Sequence, residues 1–198
     1  PIHGEAHKTP PPVAGEAGWG EELFATLHSR PAHAHYQPEN TLILDLTLPE
    51  PEILKQMKPK GRYNIKVAQK SGVTIRTSNQ PKDVAAFYKL LQQTTTRDKF
   101  SGHNAAFYQN MITILGPQQA KLYLATNAGQ AIAAIIVTHF QNTATYYFGA
   151  SSNQNRNLMA PYLLQWHAIQ QAKAQGHQNY DFLGIAPLDA PNHPWSGV

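Results

Sequence analysis

The sequence predicts an α+β domain in which a mixed, mostly antiparallel sheet is flanked by helices. Three β-rich runs lie between residues 121 and 151. Only the turn-like segments Asn127-Ala128-Gly129 and Gln141-Asn142 separate them, which is typical of an antiparallel meander. A helical pattern over residues 161–174, which we call the crossing helix, then leads to a further run, Asn179–Ile185, which is predicted to be a strand buried on both sides. Apolar residues make up 41% of the 198 residues, so the chain can bury a sizeable core around this α+β plan.

Proline and glycine separate the elements that precede the meander. Thr41–Thr47 is short and β-rich and has prolines on both sides, so we predict a strand there. A helix is expected over residues 50–57, because its first turn carries acidic residues. Pro59-Lys60-Gly61 interrupts that helix, and a basic helix is predicted over residues 61–71. Gly72 follows it, at the position where a glycine commonly ends a helix.

Two more helices are predicted between the basic helix and the meander. Val73–Thr77 alternates as a strand, and Ser78 or Asn79 is expected to cap the helix that begins near Pro81. A second helix is expected over Asn104–Leu115. The apolar stripe of the first helix consists of Val84, Phe87, Tyr88 and Leu91.

The N-terminal residues carry weaker signals. Residues 1–20 are rich in proline, glycine and histidine and show no periodicity, so a loop is expected. Glu21–Ser29 has the pattern of a short amphipathic helix. His33 and His35 lie beside a turn without a third ligand at a fixed spacing, so no metal site is predicted.

The composition argues against several classes of protein. The absence of cysteine excludes disulfides, cysteine-ligated zinc and thiol nucleophiles. No apolar run reaches 18 residues, so no transmembrane helix is predicted. Residues 1–30 lack the apolar core of a secretory signal, which favours a cytoplasmic location. The chain begins with Pro1 rather than Met, as expected of either a processed start or a fragment.

The positive charge is concentrated in one window. Residues 52–76 hold seven of the sixteen basic residues, and Glu52 is the only acidic residue in this window. The window therefore carries +6 while the chain as a whole carries +4. In the predicted helix Arg62, Lys66 and Lys70 stack one turn apart, while Tyr63 and Val67 form a stripe that is expected to face the core. Such a face suits a phosphate-rich partner, although a solvated basic helix has the same pattern.

The sequence lacks the signatures of several kinds of active site. There is no nucleophile elbow and no phosphate-binding glycine loop, and after residue 100 only two acids occur, Asp181 and Asp189. The order of elements matches the Gcn5-related acyltransferase architecture up to its fifth core strand. In such an enzyme a glycine-rich loop holds the pyrophosphate of coenzyme A. The corresponding segment, Ser151–Ala160, has no glycine, which argues against coenzyme A as the donor.

Four segments together carry a family resemblance. They are Gln37-Pro38 with Thr41–Leu46, Arg62–Ile65 with Lys70–Val73, Ala160–Trp166, and Tyr180–Ile185. In order and spacing they cover about residues 37–185 and resemble the FemABX family of non-ribosomal peptidyltransferases. Members of that family add amino acids from aminoacyl-tRNA to the peptidoglycan stem peptide.

The resemblance implies two acyltransferase-like domains side by side, with the cell-wall precursor in a cleft. Residues 1–38 would be the end of the first domain or a linker, and residues 39–198 an incomplete second domain. The family's lysine that steadies charge at the ester carbonyl would lie beyond Val198, so a fragment is expected. The implied activity is an aminoacyltransferase whose co-substrate is aminoacyl-tRNA and which needs no cofactor. A lipid-linked precursor would bring the protein to the inner face of the membrane.

The resemblance also implies where substrates bind. His103 and Phe107 stand at the positions of the family's Arg-x-x-x-Tyr for the precursor, which is a departure from that motif, and Tyr108 is adjacent. Tyr146 and Phe148 match an aromatic position of the strand before the crossing helix. Asp181 is a candidate for orienting the amine or accepting its proton, and a structural cap is the alternative. For tRNA phosphates the candidates are the basic residues Lys58, Lys60, Arg62, Lys66 and Lys70.

Two other functions remain open at this point. One is a coenzyme A-dependent N-acyltransferase of the same fold, which the glycine-free loop disfavours. The other is a non-catalytic chain that binds tRNA or precursor without turnover. Salt-sensitive binding of tRNA would favour the aminoacyltransferase, whereas binding of acetyl coenzyme A would favour the first alternative.

Overall fold

A computed structural model of the chain describes residues 40–186 together with His28. Five of the six strands precede the crossing helix, and the sixth follows it. The strands are β1 (Thr41–Asp45), β2 (Thr74–Ser78), β3 (Ala120–Asn127), β4 (Gln130–Phe140), β5 (Thr143–Ser151) and β6 (Asn179–Gly184). The helices are α1 (Glu50–Gln56), α2 (Pro59–Lys70), α3 (Pro81–Asp98), α4 (Ala105–Gln119) and α5 (Ala160–Ala174), and a 3-10 turn covers Arg156–Leu158.

The strands form one sheet in the order β1-β6-β5-β4-β3-β2. Strands β2 to β5 are antiparallel neighbours, and β6 runs parallel to β5. The parallel pairing is short and extends from Thr143 opposite Asn179 to Thr145 opposite Asp181. The predicted fold class, a mixed and mostly antiparallel sheet flanked by helices, is therefore confirmed.

The chain divides into two compact units. Among the described residues, 44–181 form the larger unit, and 40–43 with 182–186 belong to the smaller one. In the smaller unit the backbone amide of Ile185 donates to the carbonyl of Asn40 at 3.0 Å. The boundary predicted between residues 38 and 39 lies at the edge of the described chain and stays a prediction.

Helices cover both faces of the sheet in the larger unit. Helices α3 and α4 bury apolar side chains such as Phe87 and Ile112 against Leu122 and Leu124 of β3. Because side chains alternate along a strand, Tyr123 points to the other face, where its ring lies 6.0 Å from that of His167 of α5. Helix α2 packs against α5 on this second face.

The buried stripe of α2 is not the one that the sequence predicts. Tyr63 is 67% exposed, whereas Asn64, Ile65 and Ala68 are buried. The buried stripe is thus turned by one residue, about 100° around the helix, from the predicted stripe of Tyr63 and Val67. The side chains that are buried where α2 packs against α5 are smaller than that of Tyr63. The expectation that Tyr63 faces the core is therefore wrong.

Helix α3 begins without the predicted side-chain cap. Its N-cap is Gln80, whose amide donates to the Ser78 hydroxyl at 3.2 Å. Ser78 itself donates to the carboxylate of Asp83 at 2.5 Å, while Asn79 donates its side-chain amide to the carbonyl of Ala120 at 3.1 Å. Both predicted capping side chains are therefore engaged elsewhere.

Other boundaries agree within a few residues. The regular part of α4 ends at Gly116, as the sequence predicts, because a φ of 67° and a ψ of 177° there are not helical, and one further turn continues to Gln119. In β6 only Tyr180 is buried and its neighbours are half-buried, so this strand is not enclosed on both sides. Helix Glu21–Ser29 and the pair His33 and His35 lie outside the described residues, apart from His28, a turn residue.

Candidate functional site

A β-bulge separates the two aromatic residues that the sequence places together on β5. Tyr146 pairs with Val137 of β4, but Phe148 pairs with Ile136, so one extra residue of β5 lies between them. Neighbouring residues of β4 face opposite sides of the sheet, and their partners do so as well. Tyr146 and Phe148 therefore lie on opposite faces, although their spacing of two residues predicts a shared face.

Phe148 joins the predicted precursor residues of α4 in one aromatic cluster. The rings of Phe148 and Tyr108 lie edge to face with centroids 5.0 Å apart, and Phe107 is 6.1 Å from Phe148. The imidazole of His103 stacks on Phe107 at 3.9 Å. Four of the five predicted precursor residues are thus brought together. We call His103, Phe107, Tyr108 and Phe148 the aromatic cluster.

The members of the aromatic cluster differ in access to solvent. Tyr108 is only 1% exposed, and its hydroxyl accepts the backbone amide of His103 at 3.2 Å. Burial raises the pKa of Tyr108, so it is neutral at pH 7. Phe107 is 39% exposed and His103 is exposed. The cluster therefore offers a stacked imidazole and phenyl ring to a ligand, with Tyr108 as the support beneath them.

Tyr146, on the opposite face, belongs to a polar group that involves α5. Gln165 of α5 accepts a hydrogen bond from the Tyr180 hydroxyl at 2.7 Å, and it also hydrogen-bonds Tyr146. Burial raises the pKa values of both Tyr146 and Tyr180, so neither is a base near neutral pH. Gly149 leaves the space for the Tyr146 ring, because a Cβ there would lie 1.8 Å from the Tyr146 hydroxyl oxygen.

Two neighbouring cavities open where β5 ends and α5 begins. The smaller cavity, about 190 Å³, is lined by Tyr146, Gly149 and Gln165 together with Arg97 of α3. The larger, about 420 Å³, lies between α2, the segment 151–159 and the start of α5. Ser151 and Pro161 line both, so the two cavities adjoin.

The end of α3 holds the β5 terminus in place beside these cavities. The amide of Ser151 donates to the hydroxyl of Thr94 at 3.0 Å. The guanidinium of Arg97 donates to the carbonyl of Ser151 at 3.3 Å and to the side chain of Asn153 at 2.9 Å. These bonds cross from helix to strand end and fix where the segment between β5 and α5 starts.

The basic face of α2 is only partly as the sequence predicts. Lys58, Lys60, Lys66 and Lys70 are exposed, and Tyr63 stands among them. Arg62 instead donates through its guanidinium to the carbonyl oxygens of Met57 and, at 3.2 Å, Lys55. It therefore satisfies free carbonyls at the end of α1, where a cation is favourable.

Asp181 lies on β6 at the last position paired with β5, opposite Thr145. Its side chain is half-buried, and it interacts with neighbouring groups. Apart from Tyr146, the predicted site residues thus lie in three separate places. The basic candidates are on or next to α2, the aromatic cluster is formed by α4 and β5, and Asp181 is on β6. Their roles as binding or catalytic residues stay predictions.

A cluster of titratable groups lies at the other end of β4. His139 is 6% exposed, and its Nδ1 lies 2.9 Å from Nε2 of His177. Burial, with Lys121 and His177 nearby, lowers the pKa of His139 to about 4. The pKa of His177 is lowered as well, mainly by burial. Among residues 40–186 no three histidine or acidic side chains are arranged to hold a metal ion.

Sequence reasoning missed several side chains that line the cavities. Arg97, Gln165 and Asn64 line the cavities and are not among the predicted site residues. Periodicity assigns a helical residue to a face but does not identify what stands opposite, so no local signal marks them. Tyr180 was predicted to lie in a buried strand, and it is fully buried.

Curated relatives at low identity are enzymes of peptidoglycan precursor modification. The UDP-N-acetylmuramoylpentapeptide-lysine N(6)-alanyltransferase of Weissella viridescens is 24% identical over 155 residues, which covers 77% of this chain and 46% of that enzyme. The Lipid II:glycine glycyltransferase of Staphylococcus saprophyticus is 22% identical over 212 residues, covering 76% and 51%. The chain spans about half the length of these relatives.

Solved structures share the fold at lower identity. The crystal structure of FemX superposes with a TM-score of 0.77 at 15% identity and covers 90% of this chain and 62% of FemX. The structure of L-PGS from Bacillus licheniformis gives 0.55 at 15% identity, covering 75% and 46%. These matches show that the helices and sheet of this chain follow the FemX fold.

The sequence also matches a family profile along most of its length. The profile of the FemAB family matches residues 24–130 and 125–198. This agrees with the resemblance found in the four short segments, and the basic helix, the meander, the crossing helix and β6 all lie within the matched stretches. The chain belongs to the FemAB family.

Proposed function

We propose that this chain forms part of an aminoacyltransferase that transfers an amino acid from aminoacyl-tRNA to an amine of a peptidoglycan precursor. The observation that carries the proposal is membership of the FemAB family, whose relatives in Weissella and Staphylococcus are named as an alanyltransferase and a glycyltransferase. The structural likeness to FemX supports the same conclusion through the fold. On this proposal residues 39–198 contribute to the second of two acyltransferase-like domains.

The chemistry requires little more than positioning. The amine nitrogen of the stem peptide attacks the carbonyl carbon of the aminoacyl ester, a C–N bond forms and the C–O bond to the tRNA ribose breaks. The amine proton ends on the departing ribose oxygen. Because the ester is already activated, orientation and stabilisation of the developing oxyanion account for most of the rate. Asp181 is proposed to orient the amine, and no nucleophile of the chain enters the reaction.

The aromatic cluster is proposed to contact the precursor. The stacked rings of His103 and Phe107 are accessible, and Phe148 closes the side of the cluster toward the sheet. Such a flat surface suits the apolar side of a sugar or a peptide methyl group. When protonated, His103 adds a positive charge for a carboxylate or phosphate of the precursor.

The exposed lysines of α2 are proposed to contact the phosphates of the tRNA. Lys66 and Lys70 lie one turn apart with Tyr63 on the neighbouring stripe, so a strand following the helix would meet both charge and an aromatic surface. Replacing Lys66 and Lys70 with Gln should weaken tRNA binding and flatten its salt dependence. Arg62 is kept, because it also holds α1.

A transfer assay with the gene product that contains this chain tests the proposal. Charged tRNA and a UDP-linked or lipid-linked muropeptide should yield an extended stem peptide, and the K66Q/K70Q variant should need more tRNA for the same rate. The matched control is K82Q/K89Q on α3, which loses the same charge on the opposite face of the sheet. Transfer from acetyl coenzyme A, or no transfer from charged tRNA, would overturn the proposal.

A further inference from the structure

Two histidines face each other where the segment after α5 meets the β4–β5 hairpin. His139 lies near the end of β4 and is 6% exposed, and His177 lies between α5 and β6. Nδ1 of His139 is 2.9 Å from Nε2 of His177, so one ring donates a hydrogen bond and the other accepts it. The bond joins positions that are 38 residues apart in the chain. We call these two residues the histidine pair.

The histidine pair belongs to the junction at which β6 starts. The backbone amides of Gln178 and Asn179 donate to the carbonyl of Asn142 at 2.8 Å and 3.1 Å. The side-chain amide of Asn142 also donates to the side chain of Gln178, at 3.1 Å. The pairing of β6 with β5 begins directly after Asn142, with Thr143 opposite Asn179, and ends at Asp181. Because this pairing is so short, the bonds of the junction contribute substantially to the register in which Asp181 is held.

A proton added to the histidine pair has no favourable place. A charged imidazole carries an N–H on both nitrogens, and Nε2 of His139 is buried without a hydrogen-bond partner in the described part of the chain. Burial is the main cause that lowers the pKa of His139 to about 4, and Lys121 and His177 lower it further. The pKa of His177 is lowered mainly by burial and also by Lys121, against a hydrogen bond with the backbone of Gln141. The pair is therefore neutral at pH 7.

The neighbouring elements add one positive charge beside the histidine pair. Strand β3 contributes Lys121, whose ammonium donates to the side chain of Gln175 at 2.5 Å. Strand β5 contributes Ala144, which stands opposite His139. The segment after α5 contributes His177 itself, together with Gln175. Lys121 is the charged residue among these neighbours, so protonation of the pair places like charges close together.

We propose that the histidine pair is a pH-sensitive latch that positions β6, and with it Asp181, whose role rests on the proposed function. While both imidazoles are neutral, their hydrogen bond holds the segment after α5 against the β4–β5 hairpin. When the pH falls, hydration of the rings allows them to accept protons, so the open arrangement gains population. His139 and His177 are thus positioning residues, which act through the place that they give to Asp181.

Amide hydrogen exchange of the gene product that contains this chain tests the latch. Hydration returns the pKa of His139 from about 4 to its ordinary 6.5, so protection of residues 177–181 should fall about twentyfold from pH 7 to pH 5, after correction for intrinsic exchange. In H139N/H177Q, amide groups that do not titrate replace both facing nitrogens, so protection should be the same at the two pH values. An equal fall in this variant and in the wild type would overturn the latch.

Asn142→Ala is the matched control, because it removes a bond of the same junction that does not titrate. Its protection at residues 177–181 should be about threefold to tenfold lower than in the wild type, but the fall from pH 7 to pH 5 should have the same size. Residues 84–91 of α3, on the opposite face of the sheet, are the internal reference. A wild-type fall at residues 177–181 no larger than at this reference would also overturn the latch.

Transfer from charged tRNA tests the positioning of Asp181 separately. His177→Ala removes the latch and should lower kcat about threefold to tenfold while the KM for charged tRNA stays unchanged. His177→Gln keeps a polar atom near the position of Nε2 and should restore most of the rate. Lower protection in His177→Ala with an unchanged kcat would overturn the positioning of Asp181. If the wild type itself transfers no amino acid, the proposed function fails, and hydrogen exchange still decides the latch.

Discussion

At the scale of single residues, His139 shows how a buried titratable group makes stability depend on pH. Burial together with Lys121 and His177 lowers its pKa from 6.5 to about 4. The unfolded chain therefore binds more protons than the folded chain between those values, and stability must rise with pH there. The stabilisation is fully present above pH 6.5 and is lost as the pH falls through 4.

We expect the free energy of unfolding to fall by about 3 kcal/mol between pH 6.5 and 4 through His139 alone. Urea unfolding followed at several pH values measures this slope. His139→Gln should flatten this slope. An unchanged slope in His139→Gln would assign the pH dependence to other groups.

The ring of Tyr146 leaves no space for a side chain at Gly149. A Cβ at position 149 would lie 1.8 Å from the Tyr146 hydroxyl oxygen and 2.8 Å from Cζ of the same ring. The side chain of Gln165 hydrogen-bonds Tyr146, which restricts the movement of the ring.

Gly149→Ala is therefore expected to destabilise the protein by about 1–3 kcal/mol, in the range of overpacked cores. Thermal or urea unfolding measures the loss. In the double variant G149A/Y146A the second change should cost less than it does alone, because it removes the clash. Gly102→Ala is the matched control, since its Cβ would meet Leu91 and Tyr108 only at 3.4 Å.

At the scale of elements, α2 combines a structural and a surface role on neighbouring positions. Arg62 holds the carbonyl end of α1, whereas Lys66 and Lys70 on the same stack are exposed. Equal spacing and equal charge thus do not imply an equal role. A triple alanine variant of these residues would mix a loss of stability with the proposed loss of tRNA binding.

We expect Arg62→Ala to lower the free energy of unfolding by about 1–2 kcal/mol, because carbonyls at the end of α1 lose a charged donor. Lys66→Ala and Lys70→Ala should each stay within about 0.5 kcal/mol of the wild type, as surface changes do. Urea unfolding of the three single variants measures both effects. Similar losses in all three would show that Arg62 has no structural role beyond that of the two lysines.

Single elements were the part of the fold most open to prediction. The three strands of the meander are located within a residue of the predicted bounds, because Asn127-Ala128-Gly129 and Gln141-Asn142 are local turn signals. The caps of α3 were not predicted correctly. Ser78 and Asn79 both have side chains that can cap a helix. In the structure, however, Ser78 hydrogen-bonds Asp83, and Asn79 hydrogen-bonds the carbonyl of Ala120, which is 41 residues away.

At the scale of the whole molecule, the aromatic cluster is assembled from distant parts of the chain. His103 and Phe107 precede and begin α4, whereas Phe148 comes from β5 after the whole of β3 and β4. The bulge in β5 decides that Phe148, and not Tyr146, joins them. The cluster therefore exists only when the sheet has closed against α4.

If this cluster binds the precursor, Phe107→Ala should weaken binding of a UDP-linked muropeptide about threefold to tenfold, through the loss of one aromatic contact. Isothermal calorimetry with the gene product that contains this chain measures the affinity. Phe140→Ala is the control, because this ring is 72% exposed and lies at the last residue of β4. Equal affinities of the Phe107→Ala variant and the wild type would place the precursor elsewhere.

None of the helices described is both long enough and apolar enough to cross a bilayer. The expected location at the inner face of the membrane depends on the lipid-linked substrate. Vesicles that contain the lipid-linked precursor would bind the protein, and vesicles without it would not, if that part of the proposal is correct.

The sequence alone determined the class of fold, the meander, the basic segment and the family, because strand and helix periods, turn residues and local charge are written in neighbouring residues. The tertiary structure decided which face each side chain takes. The packing of α2 on α5 turned Tyr63 outward, the bulge in β5 divided Tyr146 from Phe148, and the contact with α1 engaged Arg62. Each of these choices depends on a partner in another helix or strand, and the periodicity within one element contains no information about that partner.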